Sequence, residues 1–330
     1  MGGSGLLGRW SAPSAEWWSQ VAAATLPVLG PLALPAAVAV GAATARTRRF
    51  GGGVCTVALA ALFAGWAFRT SSPPSASAPA SGSLSVLTLN IGGVFLSEGL
   101  IADYVERTRP DVVLLQEAGA HGRPYAPAAA RLGTLDGYTV HVGSEVGKDT
   151  PGRQVIVSRL PVRSYESGYL AMPEVRSGVY GRAVVSWQGR EVVLYNVHLR
   201  PFNPDVSWSW ERMVSPAVWA ETPGNLRAFF AEQAVEAQAL ARLVAAETAP
   251  VVVGGDFNAA PDQWSRAVLG RRLRETTGRW LPAATRPDDT PLLNVDGVLV
   301  SDDWAVVEAG VGPPGLSDHR AVLARLALRP

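Results

Sequence analysis

The stretch Pro250–Asn258 reads Pro-Val-Val-Val-Gly-Gly-Asp-Phe-Asn. A short apolar run bounded by glycines has the character of a strand buried on both faces. Gly254 and Gly255 permit a sharp turn or the close approach of other groups to the backbone. The run therefore delivers Asp256 and Asn258 to the end of a central strand. Gly-Gly-Asp by itself is equally an ordinary turn. What constrains the chain is that three further segments end in the same manner: Leu84–Asn90, Asp111–Glu117 and Val192–His198. Each is an apolar strand pattern that closes on a chemically competent side chain. Asp296 sits inside Leu292–Val300, and Ser317-Asp318-His319 comes just before the chain ends.

Between these segments the periodicity changes. Glu98–Arg109 has helical spacing (Leu100, Ile101, Tyr104, Val105), and Pro110 stops it. Asp111–Gln116 is a buried strand. A carboxylate following it, Glu117, must be solvated, paired or bound to a metal, because burying it alone is too costly. Hard oxygen ligands of this kind suit magnesium. Pro124–Leu132 is a short helix, and Tyr138–Val142 and Arg153–Ser158 are strands. His141 alternates with apolar neighbours and is a structural or surface histidine. Tyr180–Trp187 and Glu191–His198 form a hairpin through Gln188-Gly189, and alternation puts Asn196 and His198 on one face. Asn225–Ala246 is the clearest helix, with Phe229, Phe230, Ala234, Ala237, Leu240 and Leu243 on one side and Glu232 and Glu236 opposite. Leu292–Val300, Ala305–Val307 and His319–Leu328 are the late strands. Phe202–Gly224 is rich in Trp (Trp208, Trp210, Trp219) without a clean period. It is either an excursion packed on the core or an amphipathic lip reaching a membrane interface.

The first 83 residues differ in kind. Trp18–Ala43 and Gly51–Phe68 carry no charge, and a membrane-spanning helix needs about 20 apolar residues. Pro27, Pro31 and Pro35 interrupt the first run. Arg46, Arg48 and Arg49 separate the two and should stay cytoplasmic. Residues 1–69 are thus expected to be a membrane anchor with spans at about 18–43 and 51–68. A Ser/Pro/Ala linker over 70–83 leads to a folded domain over 84–330, outside the cytoplasm. A cleaved signal peptide fits poorly, because it needs a single apolar run. Cys55 is the only cysteine, which excludes a disulfide framework and a cysteine metal site. Five arginines and one glutamate precede residue 84, so the remainder holds 24 basic and 27 acidic residues. That balance lacks the basic excess usual in duplex-DNA binders. No residue pattern sets an oligomeric state.

The order Asn90, Glu117, His198, Gly255-Asp256-Phe257-Asn258, Asp296, Ser317-Asp318-His319 resembles the endonuclease/exonuclease/phosphatase superfamily over roughly residues 84–330. With the anchor included, the layout resembles its bacterial membrane proteins of the teicoplanin-resistance type. The resemblance implies an α+β fold, a four-layer α/β-β/α sandwich of the DNase I kind, here preceded by transmembrane helices. It implies a Mg2+-dependent phosphodiesterase or phosphatase, with Mn2+ able to substitute. Metal ligands would be Glu117 first, with Asn90 and Asp318 beside it. Asp256 would deprotonate the attacking water, assisted by the Asn258 amide. His319 would donate to a phosphoryl oxygen, with Asp296 holding its imidazole, and His198 would complete the phosphate clamp.

Two departures from the family pattern stand out. Gly92 occupies a position where a carboxylate or amide is common. Gly297 replaces an aromatic after Asp296, which is expected to widen the pocket. The anchor makes a lipid-linked phosphate the expected substrate. A surface nuclease using the same site is the alternative, with nucleic acid as partner, and a non-catalytic binding module on the same scaffold is a third reading.

Overall fold

The computed structural model describes residues 17–25, 82–92, 98–118, 127–143, 154–171, 178–202, 216–278 and 283–330. Residues 17–25 form helix α1. The catalytic region continues with β1 (Leu84–Asn90), α2 (Glu98–Thr108), β2 (Val112–Gln116), α3 (Pro127–Leu132), β3 (Thr139–Val142), β4 (Val155–Ser158) and β5 (Val162–Tyr169). It is completed by β6 (Val179–Trp187), β7 (Arg190–His198), α4 (Pro216–Ala246), β8 (Val251–Asp256), α5 (Trp264–Leu269), β9 (Arg274–Glu275), β10 (Asp296–Val300), β11 (Trp304–Val311) and β12 (Val322–Leu328).

Two six-stranded sheets result, one in the order β11-β12-β1-β2-β4-β3 and the other β5-β6-β7-β8-β10-β9. Each is mixed, with one central parallel pair (β1 with β2, β7 with β8) and antiparallel neighbours. The central strands are short Val/Leu runs because both of their faces are covered. On β1, Leu84 and Val86 face the other sheet, while Leu87 and Leu89 face α2 and α3. On β7, Val192 and Leu194 face the first sheet, while Val193, Tyr195 and Val197 face α4. Three apolar layers therefore separate four layers of secondary structure, as the expected α/β-β/α sandwich requires.

Local chemistry explains the joints. Arg109 takes a positive φ of 44° directly after α2, ahead of Pro110. Gln188 and Gly189, with φ of 50° and 76°, make the tight turn between β6 and β7. β5 was not foreseen: its polar, half-exposed pattern is that of an edge strand. The strand expected from Leu292 starts only at Asp296, since Leu293 instead bridges Arg286. α4 begins at Pro216, nine residues before the expected start, with Pro223 inside it. Trp219 thus lies on helical backbone, whereas Trp208 and Trp210 lie outside the described residues, as do most of the first expected membrane span and all of the second. Among the described residues no helix is long and apolar enough to cross a membrane.

Candidate active site

The space between the sheets is apolar along most of its length and turns polar at one end. Val112 and Leu114 on β2, Val192 and Leu194 on β7, and Val252 on β8 belong to the inter-sheet core. Side chains alternate along a strand, so the same faces next reach Gln116, then Asn196 and His198, and Asp256. On β1 they reach Thr88 and Asn90. β10 runs the other way and begins at this end, with Asp296 paired to Asp256, and His198 pairs with Asp256 across the parallel ladder. At the opposite end the interface is closed by Trp187 and Trp304, their ring centroids 5.5 Å apart.

Asp256 is the hub. Its Oδ2 accepts from Asn90 Nδ2 at 3.0 Å and lies 3.7 Å from His198 Nε2 and 3.9 Å from His319 Nε2. Its Oδ1 accepts from the Asn258 backbone N–H at 2.8 Å. Asn90 Nδ2 also donates to Glu117 Oε1 at 3.0 Å, and that oxygen is 3.7 Å from His198 Nε2. His319 Nδ1 lies 2.8 Å from Asp296 Oδ2. Asn90, Glu117, His198, Asp256, Asp296 and His319 thus converge from five strand ends and the turn before β12. Glu117 and Asn258 both hold positive φ, 52° and 46°, a backbone state that costs energy in non-glycine residues and is concentrated at functional sites.

Two expected roles change. Asn258 Nδ2 is engaged with the Leu199 carbonyl at 2.9 Å, so this residue holds the turn and Asp256 through backbone and side chain. Asp318 is exposed and turned to Arg286 Nη2 at 3.2 Å, with Ser317 Oγ at 3.1 Å; the structure does not bring it onto Glu117. Gly92 has a conformational purpose: at φ 55° its N–H donates to Asn90 Oδ1 at 2.9 Å. The pocket is not widened at Gly297. A Cβ there would lie 2.8 Å from Arg266 Nη2, because the guanidinium fills the space. Gly255 makes a close approach within β8 and not a turn: a Cβ would sit 1.9 Å from the Val197 carbonyl oxygen.

Burial and the Asp296 carboxylate push the Asp256 pKa up, against the pull of His319 and His198. Burial alone would lower His319, but the carboxylates of Asp296 and Asp256 raise it to about 9. An imidazole held in the protonated form is a donor and not a metal ligand. Asp256, Asp296 and His319 also form a close cluster whose ligand atoms lie within 4.8 Å of one another, a geometry able to hold a metal ion. His198 Nε2 and Asp296 Oδ1 are buried without a hydrogen-bond partner. Together with the Glu117 carboxylate, which Asn90 ties to Asp256, these positions fit a hard divalent cation and a phosphate group.

The supporting residues were not legible in sequence. Gln116 Nε2 donates to Asn196 Oδ1 at 2.7 Å, and Asn196 Nδ2 donates to the Leu115 and Val155 carbonyls at 2.9 Å, tying the sheets together under the site. Glu236, expected on the solvent face of its helix, is fully buried. It accepts from Gly178 N at 2.7 Å and Arg200 N at 2.8 Å, the two chain segments flanking the His198 ladder. Thr285 Oγ1 accepts from Asp296 N at 3.2 Å while its carbonyl accepts from Arg320 N at 2.9 Å, which holds Asp296 against His319. Arg266 is buried beneath the site, with its guanidinium 4.4 Å from the Phe257 ring centroid. The signal for Glu236 was its place two residues past an alanine on the apolar stripe, and alternation had put Asn196 on the His198 face; the others have none.

Two facing sheets that gather carboxylates and imidazoles at one rim define a DNase I-like scaffold. The chain belongs to the endonuclease/exonuclease/phosphatase family, whose model matches residues 87–319; its members are phosphoric ester hydrolases. Among solved structures, an endonuclease/exonuclease/phosphatase from Bacteroides vulgatus matches with a TM-score of 0.56 at 15% identity, covering 76% of this chain and all (100%) of that one. A mannosyl-6-phosphatase from Bacteroides thetaiotaomicron matches with a TM-score of 0.55 at 16% identity, covering 74% and 100%. The human Nocturnin catalytic domain with a bound sulfate anion matches with a TM-score of 0.52 at 17% identity, covering 75% and 94%. At these identities the likeness concerns the fold. No curated protein sequence matches the chain.

Proposed function

We propose that this protein is a divalent-metal-dependent phosphatase or phosphodiesterase that hydrolyses a lipid-linked phosphate at the extracytoplasmic face of a membrane. One observation carries the chemistry. Asp256 is completely buried, its pKa is raised, and one of its oxygens faces both imidazoles while the other is fixed by Asn258. A buried carboxylate with elevated basicity is suited to take a proton from water near neutral pH. His319, kept protonated by Asp296, donates a hydrogen bond to a phosphoryl oxygen. His198 offers its buried Nε2 to the same group. Glu117 and Asn90 are the residues that would hold Mg2+ (or Mn2+) beside Asp256. When bound, the ion supplies charge neutralisation of the phosphoryl oxygens.

The lipid-linked substrate and the location rest on the sequence. Two uncharged runs split by Arg46, Arg48 and Arg49 support membrane embedding with residues 84–330 outside. The test is phosphate release by the purified full chain in detergent with Mg2+, offered polyprenyl pyrophosphate, a phospholipid and plasmid DNA in parallel. Release from a lipid-linked phosphate, abolished by Asp256→Asn, supports the reading. Preferential cleavage of DNA would replace it with a nuclease. Protease added to spheroplasts should degrade the 84–330 region, and full protection would reverse the topology.

A further inference from the structure

Helix α1, which opens the first expected membrane span, is docked on the catalytic domain just beyond the active site. Ser19, Gln20 and Ala23 are buried, Gln20 with 1% of its surface exposed. The Gln20 carbonyl accepts from Gln263 Nε2 at 3.1 Å, and Gln20 Oε1 accepts from the Trp264 backbone N–H at 2.8 Å. Gln263 does not satisfy that N–H itself, because its Oε1 accepts from Ala260 N at 2.7 Å. Residue 20 therefore completes the polar pairing of a buried turn far away in sequence, and a buried donor left unmatched is costly.

α5, which starts at this turn, carries Arg266. Its guanidinium is paired with Glu275 at 2.9 and 2.6 Å and donates to the Ala259 and Val295 carbonyls at 3.3 Å each. It also lies over the Phe257 ring. Phe257 and Val295 are the immediate neighbours of Asp256 and Asp296, and Phe257 N donates to Val295 O at 2.9 Å. A continuous line of buried bonds and packing thus runs from Gln20 through Trp264 and Arg266 to the two aspartates. This helix lies outside the residues that match the family, 87–319.

We propose that Gln20 is a positioning residue, and that α1 makes the N-terminal segment a working part of the catalytic unit. Docking of α1 fixes the Gln263–Trp264 turn, and through Arg266 it fixes the backbone on which Asp256 and Asp296 are held. The activity arm of the test rests on the hydrolase reading; the exchange arm does not.

The experiment compares the wild-type full chain with Gln20→Ala and Gln20→Glu by amide hydrogen exchange and by steady-state phosphate release. In Gln20→Ala the Trp264 amide should exchange about tenfold faster or more, and the Phe257 amide should follow, as local opening replaces a fixed turn. Turnover kcat should fall about tenfold with KM little changed, the size expected when a support beneath reacting groups is lost. Gln20→Glu keeps an acceptor oxygen for Trp264 and should recover most of both. Unchanged exchange at Trp264 in Gln20→Ala would overturn the dock. Faster exchange at Trp264 with Phe257 unchanged would overturn the coupling. No turnover in the wild type, with both amides responding, would overturn the hydrolase reading and leave this inference standing.

Discussion

The two sheets are built alike but treat their carboxylates differently. Both have six strands around a central parallel pair, and both deliver polar side chains to the same rim. The first contributes Asn90 and Glu117, and the Glu117 side chain keeps 30% of its surface exposed. The second contributes His198, Asp256 and Asp296, with the two aspartate side chains at 1% and 0%. A partly hydrated carboxylate suits a hard cation that retains waters. Burial and the neighbouring Asp296 raise the pKa of Asp256, which suits it to proton transfer. The difference arises in backbone geometry: Glu117 lies one residue past the end of β2 at positive φ, whereas Asp256 is still inside its ladder.

The largest effect should come from the backbone that keeps Asp256 in place. Gly255→Ala puts a methyl group 1.9 Å from the Val197 carbonyl oxygen, so β7 and β8 must part; the expected outcome is loss of a cooperative thermal transition in calorimetry. Next, Asp256→Asn should lower kcat by about 10²- to 10⁴-fold, the range for removing a general base, and added Mg2+ should not restore it. Glu117→Gln should weaken Mg2+ affinity by about 10–100-fold, with kcat largely recovered at saturating metal. If metal rescues the Asp256 variant and not the Glu117 variant, the division between the sheets is wrong.

A pH effect sharpens the same contrast within the second sheet. Because the His319 pKa is raised from 6.5 to about 9, its ion pair stabilises the fold fully below pH 6.5, and that contribution is lost as pH rises through about 9. Turnover that needs the protonated imidazole should decline on the same alkaline side. Asp296→Asn removes the main raising influence and should move the alkaline limb of the kcat/KM profile to lower pH. An unmoved limb would show that the dyad does not set it. The smallest change is expected from Arg286→Ala. This exposed pair with Asp318 lies in the range of about 0–1 kcal/mol, so the melting temperature should be almost unaffected.

The strand ends were legible because each has its own local signal: an apolar run, its period, and the polar residue that breaks it. Asn90, Glu117, His198 and Asp256 were found in this way, and the tight turn at Gln188-Gly189 followed from residue type alone. Glu236 was misplaced because helical spacing tells which side a residue faces and not how much chain packs over the edge of that side. The turn of Asp318 towards Arg286 was not legible, because a motif names a neighbour of His319 without saying which way its side chain points. Arg266 filling the space above Gly297 could not be anticipated, since it depends on two segments about thirty residues apart meeting beneath the Phe257 ring.

By itself the sequence determined the layered α/β class, the family, and the set of polar residues at the ends of the strands. The strand ends follow from alternation, which acts over a few residues, whereas fold and family were implied by the resemblance of the ordered motifs to the superfamily. Tertiary structure alone decided which carboxylate is dry, which histidine is held charged, and that a glutamine near the N-terminus completes a turn next to the site. Burial and hydrogen bonding depend on what other segments bring, and no local pattern encodes that.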